Sequence, residues 1–150
     1  VLTASVGINV GAQQLPRAKM IAWTGAFISF CVVGLLGATV TIFPDIWLNN
    51  FESSSLIRDY ATSYLIIVAP FYCFFAAGQT LYFASQGLGK IFYPVIVGII
   101  RLLSVSIICY YVTVYDLSLN FVFYGVSFGL LATGLGLWMC MLGPDWKKQI

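Results

Sequence analysis

Hydrophobic residues in this chain come in long blocks, and the charges fall between them. Residues 20–44, 60–89 and 117–144 carry no charged side chain, and 91–115 carries one, Arg101. A helix needs about 20 apolar residues to cross the roughly 30 Å hydrocarbon core of a bilayer. Each block is long enough, so each predicts a membrane-spanning helix.

Prolines and glycines set the boundaries. Pro16 stands where a first helical turn tolerates proline, and Pro44-Asp45 stops that helix, giving a span over about 16–43. The connection 45–59 is polar and holds three of the five acids. A second span covers about 60–84. Pro70 lies inside it, where a missing backbone donor kinks a helix. Gln86-Gly87-Leu88-Gly89-Lys90 reads as a tight turn. The third span is about 91–114. The turn Asp116-Leu117-Ser118 leads to a fourth over about 119–142, which Gly143-Pro144 ends. Val1 to Val10 are mostly apolar but reach only ~15 Å as a helix, half a span. Val1 is therefore expected to lie inside a helix that begins earlier, in a longer protein. The expected fold class is all-α: a polytopic transmembrane bundle of four full spans plus a truncated N-terminal helix.

Composition agrees and removes several functions. Hydrophobic residues are 61% and charged residues 8%, against roughly 45–50% and about a quarter in soluble domains. A chain this size has no soluble way to hide that much apolar surface, so its surroundings are the lipid bilayer. A net charge of +2 with no basic tract argues against nucleic acid as a partner. The first charge follows the first apolar stretch, the reverse of a signal peptide. Cys31, Cys73, Cys109 and Cys140 sit singly inside the blocks and there is no histidine. Neither a metal site nor another cofactor is expected, and the cysteines read as small packing residues. Without a histidine base or a GxSxG elbow, an enzyme is not expected either.

Charge also orients the spans. Arg17, Lys19, Lys90, Lys147 and Lys148 fall on one side and Arg58 on the other. The positive side is expected to be cytoplasmic. That puts 1–19, 85–90 and the C-terminus inside, and 45–59 and 115–118 outside with Asp45, Glu52, Asp59 and Asp116.

Arg101 is the one charge well within a span. A mid-bilayer arginine costs about 2.5–3.5 kcal/mol on insertion scales unless it faces protein or water. It reads either as a cavity-lining residue that meets an anionic or polar group, or as a structural one that bonds backbone carbonyls or snorkels. The second span is rich in polar side chains: Ser63, Tyr64, Tyr72, Gln79, Thr80 and Tyr82, then Ser85 and Gln86. With the Pro70 kink, they mark either a cavity border or hydrogen bonds between helices. Tyr72, Gln79 and Tyr82 join Arg101 as cavity candidates, and Pro70 is the candidate hinge. Small residues four apart let helices approach closely. Gly7/Gly11, Gly125/Gly129 and Gly34/Ala38 are such pairs, for packing within the chain or for a dimer face.

The segment ASVGINVGAQQLPRAKMIAWTGA resembles a recurring segment of the multidrug and toxic compound extrusion (MATE) transporters, with Gly7, Gly11, Ala12, Arg17, Ala18 and Gly25 in matching places. Gly7, Gly11 and Arg17 mark what would be its cytoplasmic loop. The later stretch YLIIVAPFYCFFAAGQTLYFASQGLGKIFYPVIVGIIR resembles that family's tenth and eleventh helices through Pro70, Gln79, the 86–90 turn, Pro94 and Arg101. The resemblance implies a partial second lobe over 1–150, running from the end of helix eight to helix twelve of a two-lobed, twelve-helix protein. It implies an antiporter that exports organic, often cationic, compounds for H+ or Na+ by alternating access, in a plasma membrane of bacterial type. Its partners would be the small-molecule substrate, the bilayer and the first lobe. Some family members carry a coupling carboxylate on helix ten, and the 60–84 span has none. Other readings are a related flippase for lipid-linked saccharides, whose cavities hold several basic residues, and a small four-helix membrane scaffold.

Overall fold

The computed structural model describes residues 1–50, 54–143 and 146. Its helices are α1 (Leu2–Gly11), α2 (Leu15–Ile42), α3 (Pro44–Leu48), α4 (Ser55–Val68), α5 (Tyr72–Leu88), α6 (Phe92–Val114) and α7 (Asn120–Leu142). A single 3-10 turn, Ala69–Phe71, joins α4 to α5. The fold is all-α, with no strand among the described residues. Four stretches are long and apolar enough to span a bilayer: α2, α4 through α5 as one, α6 and α7. The expected positions of Glu52, Pro144, Lys147 and Lys148 lie outside the described residues.

The second span is longer than its hydropathy suggested, running from Ser55 to Leu88 instead of 60–84. Asp59 and Arg58 lie within its first turns, so charge is a poor marker of where that helix begins. At the other end the five-residue turn 86–90 shrinks. The helix continues through Leu88, and Gly89 alone turns, with φ 77°. The Lys90 N–H donates to Ser85 O and the Gly89 N–H to Gln86 O, both at 3.0 Å. That pair of bonds is a Schellman closure, which needs a left-handed residue and so favours glycine. The same six-to-one bond closes α1, where Gln14 N–H donates to Asn9 O at 2.8 Å, and α6, where Leu117 N–H donates to Val112 O at 3.0 Å. There the left-handed positions are Gln13 and Asp116.

The polar 45–59 connection also holds more structure than a loop. Pro44 opens the one-turn helix α3, because proline fits a first turn but cannot continue α2. Arg58 of α4 donates to Asp45 Oδ1 and to Asn49 Oδ1, each at 2.7 Å, tying α3 to α4.

Pro70 breaks the second span into α4 and α5 through the 3-10 turn. Pro70 has no N–H for Ile66 O, four residues back, or for Ile67 O, three back in a 3-10 turn. The Ser127 hydroxyl of α7 lies 3.0 Å from Ile67 O and 2.9 Å from Phe123 O of its own helix. A neighbouring helix thereby places a hydroxyl, shared between the two carbonyls, where the backbone ladder is interrupted.

α5 is the middle of the bundle. It packs against α1 and α2 on one side and α7 on the other, while α6 lies outside α7. Ala18, Ala22 and Ala26 of α2 form a small-residue stripe facing Ala77, Leu81, Ala84 and Leu88 of α5, with Val6, Leu15, Met141 and Trp146 completing the core. Leu and Ile side chains on α6, including Ile99, Ile100, Leu102, Leu103 and Ile107, are exposed, as suits a helix bordered by lipid.

Glycines make the closest approaches, though not all at the expected pairs. A methyl group on Gly7 would meet Gly87 O at 3.4 Å, whereas one on Gly11 would meet nothing within 4 Å. Gly125 and Gly129 both face α6, against Ile108 and Val105. The Gly34/Ala38 pair is corrected to Gly34/Gly37: Gly34 meets Cys73 and Gly37 meets Ala69 O, while Ala38 is exposed. Three residues are nearly one turn at 3.6 residues per turn, so an i, i+3 pair shares a face as well as i, i+4.

Candidate functional site

Arg101 stands nine residues into α6, so it lies about 14 Å along the helix axis from Phe92. That is near mid-membrane for a helix of this length. Its stem passes over Gly129 of α7, where an added methyl would meet Arg101 Cγ at 3.5 Å. Its guanidinium sits over the ring of Phe75 on α5, 4.9 Å from the centroid. Among the described residues it makes no hydrogen bond or ion pair: neither a backbone carbonyl nor a carboxylate accepts from it.

Two grooves meet at this residue. The first, about 340 Å³, lies between α5, α6 and α7. Phe75, Gln79 and Tyr82 line it from α5, Pro94, Gly98 and Arg101 from α6, and Thr133 and Leu137 from α7. The second, about 240 Å³, follows the α6–α7 seam from Val97 and Gly136 to Ile108 and Gly125. Arg101 and Thr133 line both. In the first groove Arg101, Phe75 and Thr133 are the deep residues. Tyr82, Pro94 and Leu137 lie nearer the end of the bundle where Lys90 emerges.

The hydrogen-bonding inventory of the first groove is uneven. Thr133 Oγ1 donates to Gly129 O at 2.7 Å, leaving it only as an acceptor. The five N–H groups of Arg101 and the amide of Gln79 have no protein partner among the described residues. Free donors therefore exceed committed ones, and the positive charge is mid-span.

The structure brings Arg101, Gln79 and Tyr82 to one groove and leaves Tyr72 elsewhere. The Tyr72 and Tyr64 hydroxyls are 2.5 Å apart, and Tyr64 also packs edge-on against Phe123. Tyr72 thus spans the Pro70 break on another part of the bundle. Pro70 is exposed beside that break. Gly7 is at the α1–α5 contact, and Gly11 and Arg17 are exposed around the first turn. Thr80 donates to Ser29 Oγ at 2.8 Å, a bond from α5 to α2, so part of the polar content of the second span is packing.

Phe75 and Thr133 were not among the expected residues. Phe75 lies four before Gln79 and Thr133 four after Gly129, so each shares a helical face with a residue that was singled out. Their partner Arg101 is on a third helix, and nothing local announces that. Among the described residues no cluster of three or more His, Cys, Asp or Glu side chains is placed to hold a metal.

Comparison with known proteins gives one match. The MatE family model covers residues 2–112, from α1 to the last turn of α6. No curated protein and no solved structure matches the chain.

Proposed function

The chain belongs to the MatE family, and from that premise we propose that it forms part of a secondary antiporter exporting organic compounds in exchange for protons or sodium ions. Family and apolar spans together make it an integral membrane transporter of the MATE type. The exchange mechanism, the cargo and the orientation are the steps beyond. Residues 1–150 are assigned to a second lobe, with α1 as the end of helix eight, α2 as helix nine, α4 and α5 as helix ten, α6 as helix eleven and α7 as helix twelve. The end bearing Arg17, Lys19 and Lys90 is assigned to the cytoplasm of a bacterial-type plasma membrane. A first lobe is the partner that completes the pathway.

The observation that carries this reading is the first groove: a largely apolar cavity that holds Arg101, Gln79, Tyr82 and Thr133, beside a proline-broken helix. Lipid gives no reason to keep an arginine, a glutamine and a tyrosine there, whereas a polar cargo does. Alternating access needs an element that bends, and α4–α5 has its break at Pro70, within the helix that supplies Phe75, Gln79 and Tyr82.

The test is counter-transport. Full-length protein in liposomes should accumulate an organic dye when a proton or sodium gradient is imposed in the opposite direction. An ionophore that collapses the driving gradient should release it. Accumulation indifferent to both gradients would overturn the antiport mechanism.

A further inference from the structure

We propose that the Arg101 groove is a carboxylate-binding subsite, so that the cargo of this transporter includes organic anions or zwitterions bearing a carboxylate. The inference rests on the transporter reading above and specifies the chemistry of its substrate.

A charge at that depth is costly unless protein or water faces it. The Phe75 ring, 4.9 Å from the guanidinium carbon, offsets part of that cost, and no described side chain or carbonyl accepts a hydrogen bond from the guanidinium. The described acids do not reach it. Asp45 lies in the single turn of α3, Asp59 in the first turns of α4, and Asp116 follows α6. Asp116 is fifteen residues beyond Arg101, about 22 Å along a helix.

The geometry then selects the ligand. The Phe75 ring lies under the guanidinium carbon, and the N–H fork makes no hydrogen bond among the described residues. That planar fork matches a carboxylate through two parallel hydrogen bonds. Gln79 adds a free amide donor to the same groove, and Tyr82 a hydroxyl nearer its mouth. Thr133 cannot compete as a donor because its proton is held by Gly129 O. A site rich in donors and poor in negative groups suits an anion and repels a cation. A lipid headgroup offers an oxyanion too, but its phosphate lies outside the hydrocarbon core, and Arg101 is near the middle of it. The groove walls beyond the charged end are Phe75, Val95, Ile99, Leu102 and Leu137, which fits an aromatic or aliphatic body attached to the carboxylate.

The experiment uses two fluorescent probes of one scaffold. One is a zwitterionic xanthene dye with a free benzoate; the other is its methyl ester, which has only the positive charge. Binding to purified full-length protein in nanodiscs is read by fluorescence anisotropy. Wild type should bind the acid more tightly than the ester. Arg101→Ala should weaken the acid by about ten- to a hundred-fold, the loss expected for a charge-assisted bidentate contact. It should not weaken the ester, which offers no carboxylate and whose positive charge Arg101 repels. Arg101→Lys should recover part of the loss, since the charge returns without the fork. The wild-type preference needs no variant, so a misfolded mutant does not blunt the test. Equal binding of acid and ester by wild type overturns the proposal, as does equal loss of both in Arg101→Ala, which would mean that Arg101 pairs with an acid of the protein. Competition of the acid probe by anionic lipid in the nanodisc overturns it as well and assigns the groove to headgroups. A protein that passes these tests yet fails counter-transport keeps the subsite and loses the antiporter.

Discussion

Gly78 is the position where one methyl group should do most to the architecture of the groove. It faces Gly134 across the α5–α7 contact, and a Cβ there would stand 2.8 Å from Gly134 Cα, 3.3 Å from Leu137 Cδ1 and 3.4 Å from Gly134 O. Carbon atoms prefer about 3.5–4.0 Å. The nearest obstacle is backbone, which no rotamer change relieves, so α5 must retreat from α7 by about 1 Å to restore that spacing. Overpacking of this kind costs about 1–3 kcal/mol. A glycine-to-alanine change within a helix also returns about 0.8–1 kcal/mol of propensity, so the comparison that isolates the clash is with another helical glycine. Gly98 serves: it lies inside α6, and a Cβ on it meets nothing within 4 Å. Gly78→Ala should therefore be about 1–3 kcal/mol less stable than Gly98→Ala. Equilibrium unfolding of full-length protein in mixed micelles, followed by tryptophan fluorescence, measures the difference. Equal stability of the two variants would refute the claim that backbone contact at Gly78 and Gly134 sets the α5–α7 distance.

Two further outcomes are expected. Pro70→Ala restores the N–H missing from the 3-10 turn, so it should strengthen the helix, by up to about 3 kcal/mol where no strain follows, and slow export by stiffening α4–α5; export at the wild-type rate from a more stable protein would remove Pro70 as a hinge. Ser54→Cys, at the exposed N-terminal edge of α4, should react with an impermeant thiol reagent from outside intact cells, and labelling only after lysis would invert the proposed orientation.

The spans were legible because bilayer crossing depends on a sum over neighbours in sequence. Twenty apolar residues in a row carry the message without any knowledge of what they touch. The ends were less legible for a related reason. Hydropathy sees Arg58 and Asp59 as the edge of a span, whereas the helix ladder closes at Ser54 without regard to charge. The turn at Gln86 to Lys90 was over-read because two glycines stand in it. Only Gly89 needs its freedom from a side chain, at φ 77°; Gly87 instead accommodates α1, where an added Cβ would meet Val6 Cβ at 3.0 Å and Gly7 N at 3.1 Å. Composition does not distinguish a glycine that turns the chain from one that admits a neighbour.

The groove was legible only in part, since its members come from three helices. Gln79 and Tyr82 share a face of α5, and the excess of polar residues in the second span pointed to them. Arg101 announced itself as an unaccompanied charge. Their juxtaposition depends on glycines. Gly129 gives the Arg101 stem room on α7, and Gly78 with Gly134 draws α5 close enough to set the Phe75 ring beneath the guanidinium. A stripe of small residues read alone predicts contact without saying with which helix. Tyr72 illustrates the converse: it lies on the polar second span, yet its hydroxyl is committed to Tyr64 across the proline break. A polar residue in a span has two ways to satisfy itself, through a neighbouring helix or through a guest. Thr80, Tyr72 and Ser127 take the first. Arg101 and Gln79, which make no hydrogen bond among the described residues, are the ones the proposal assigns to the second.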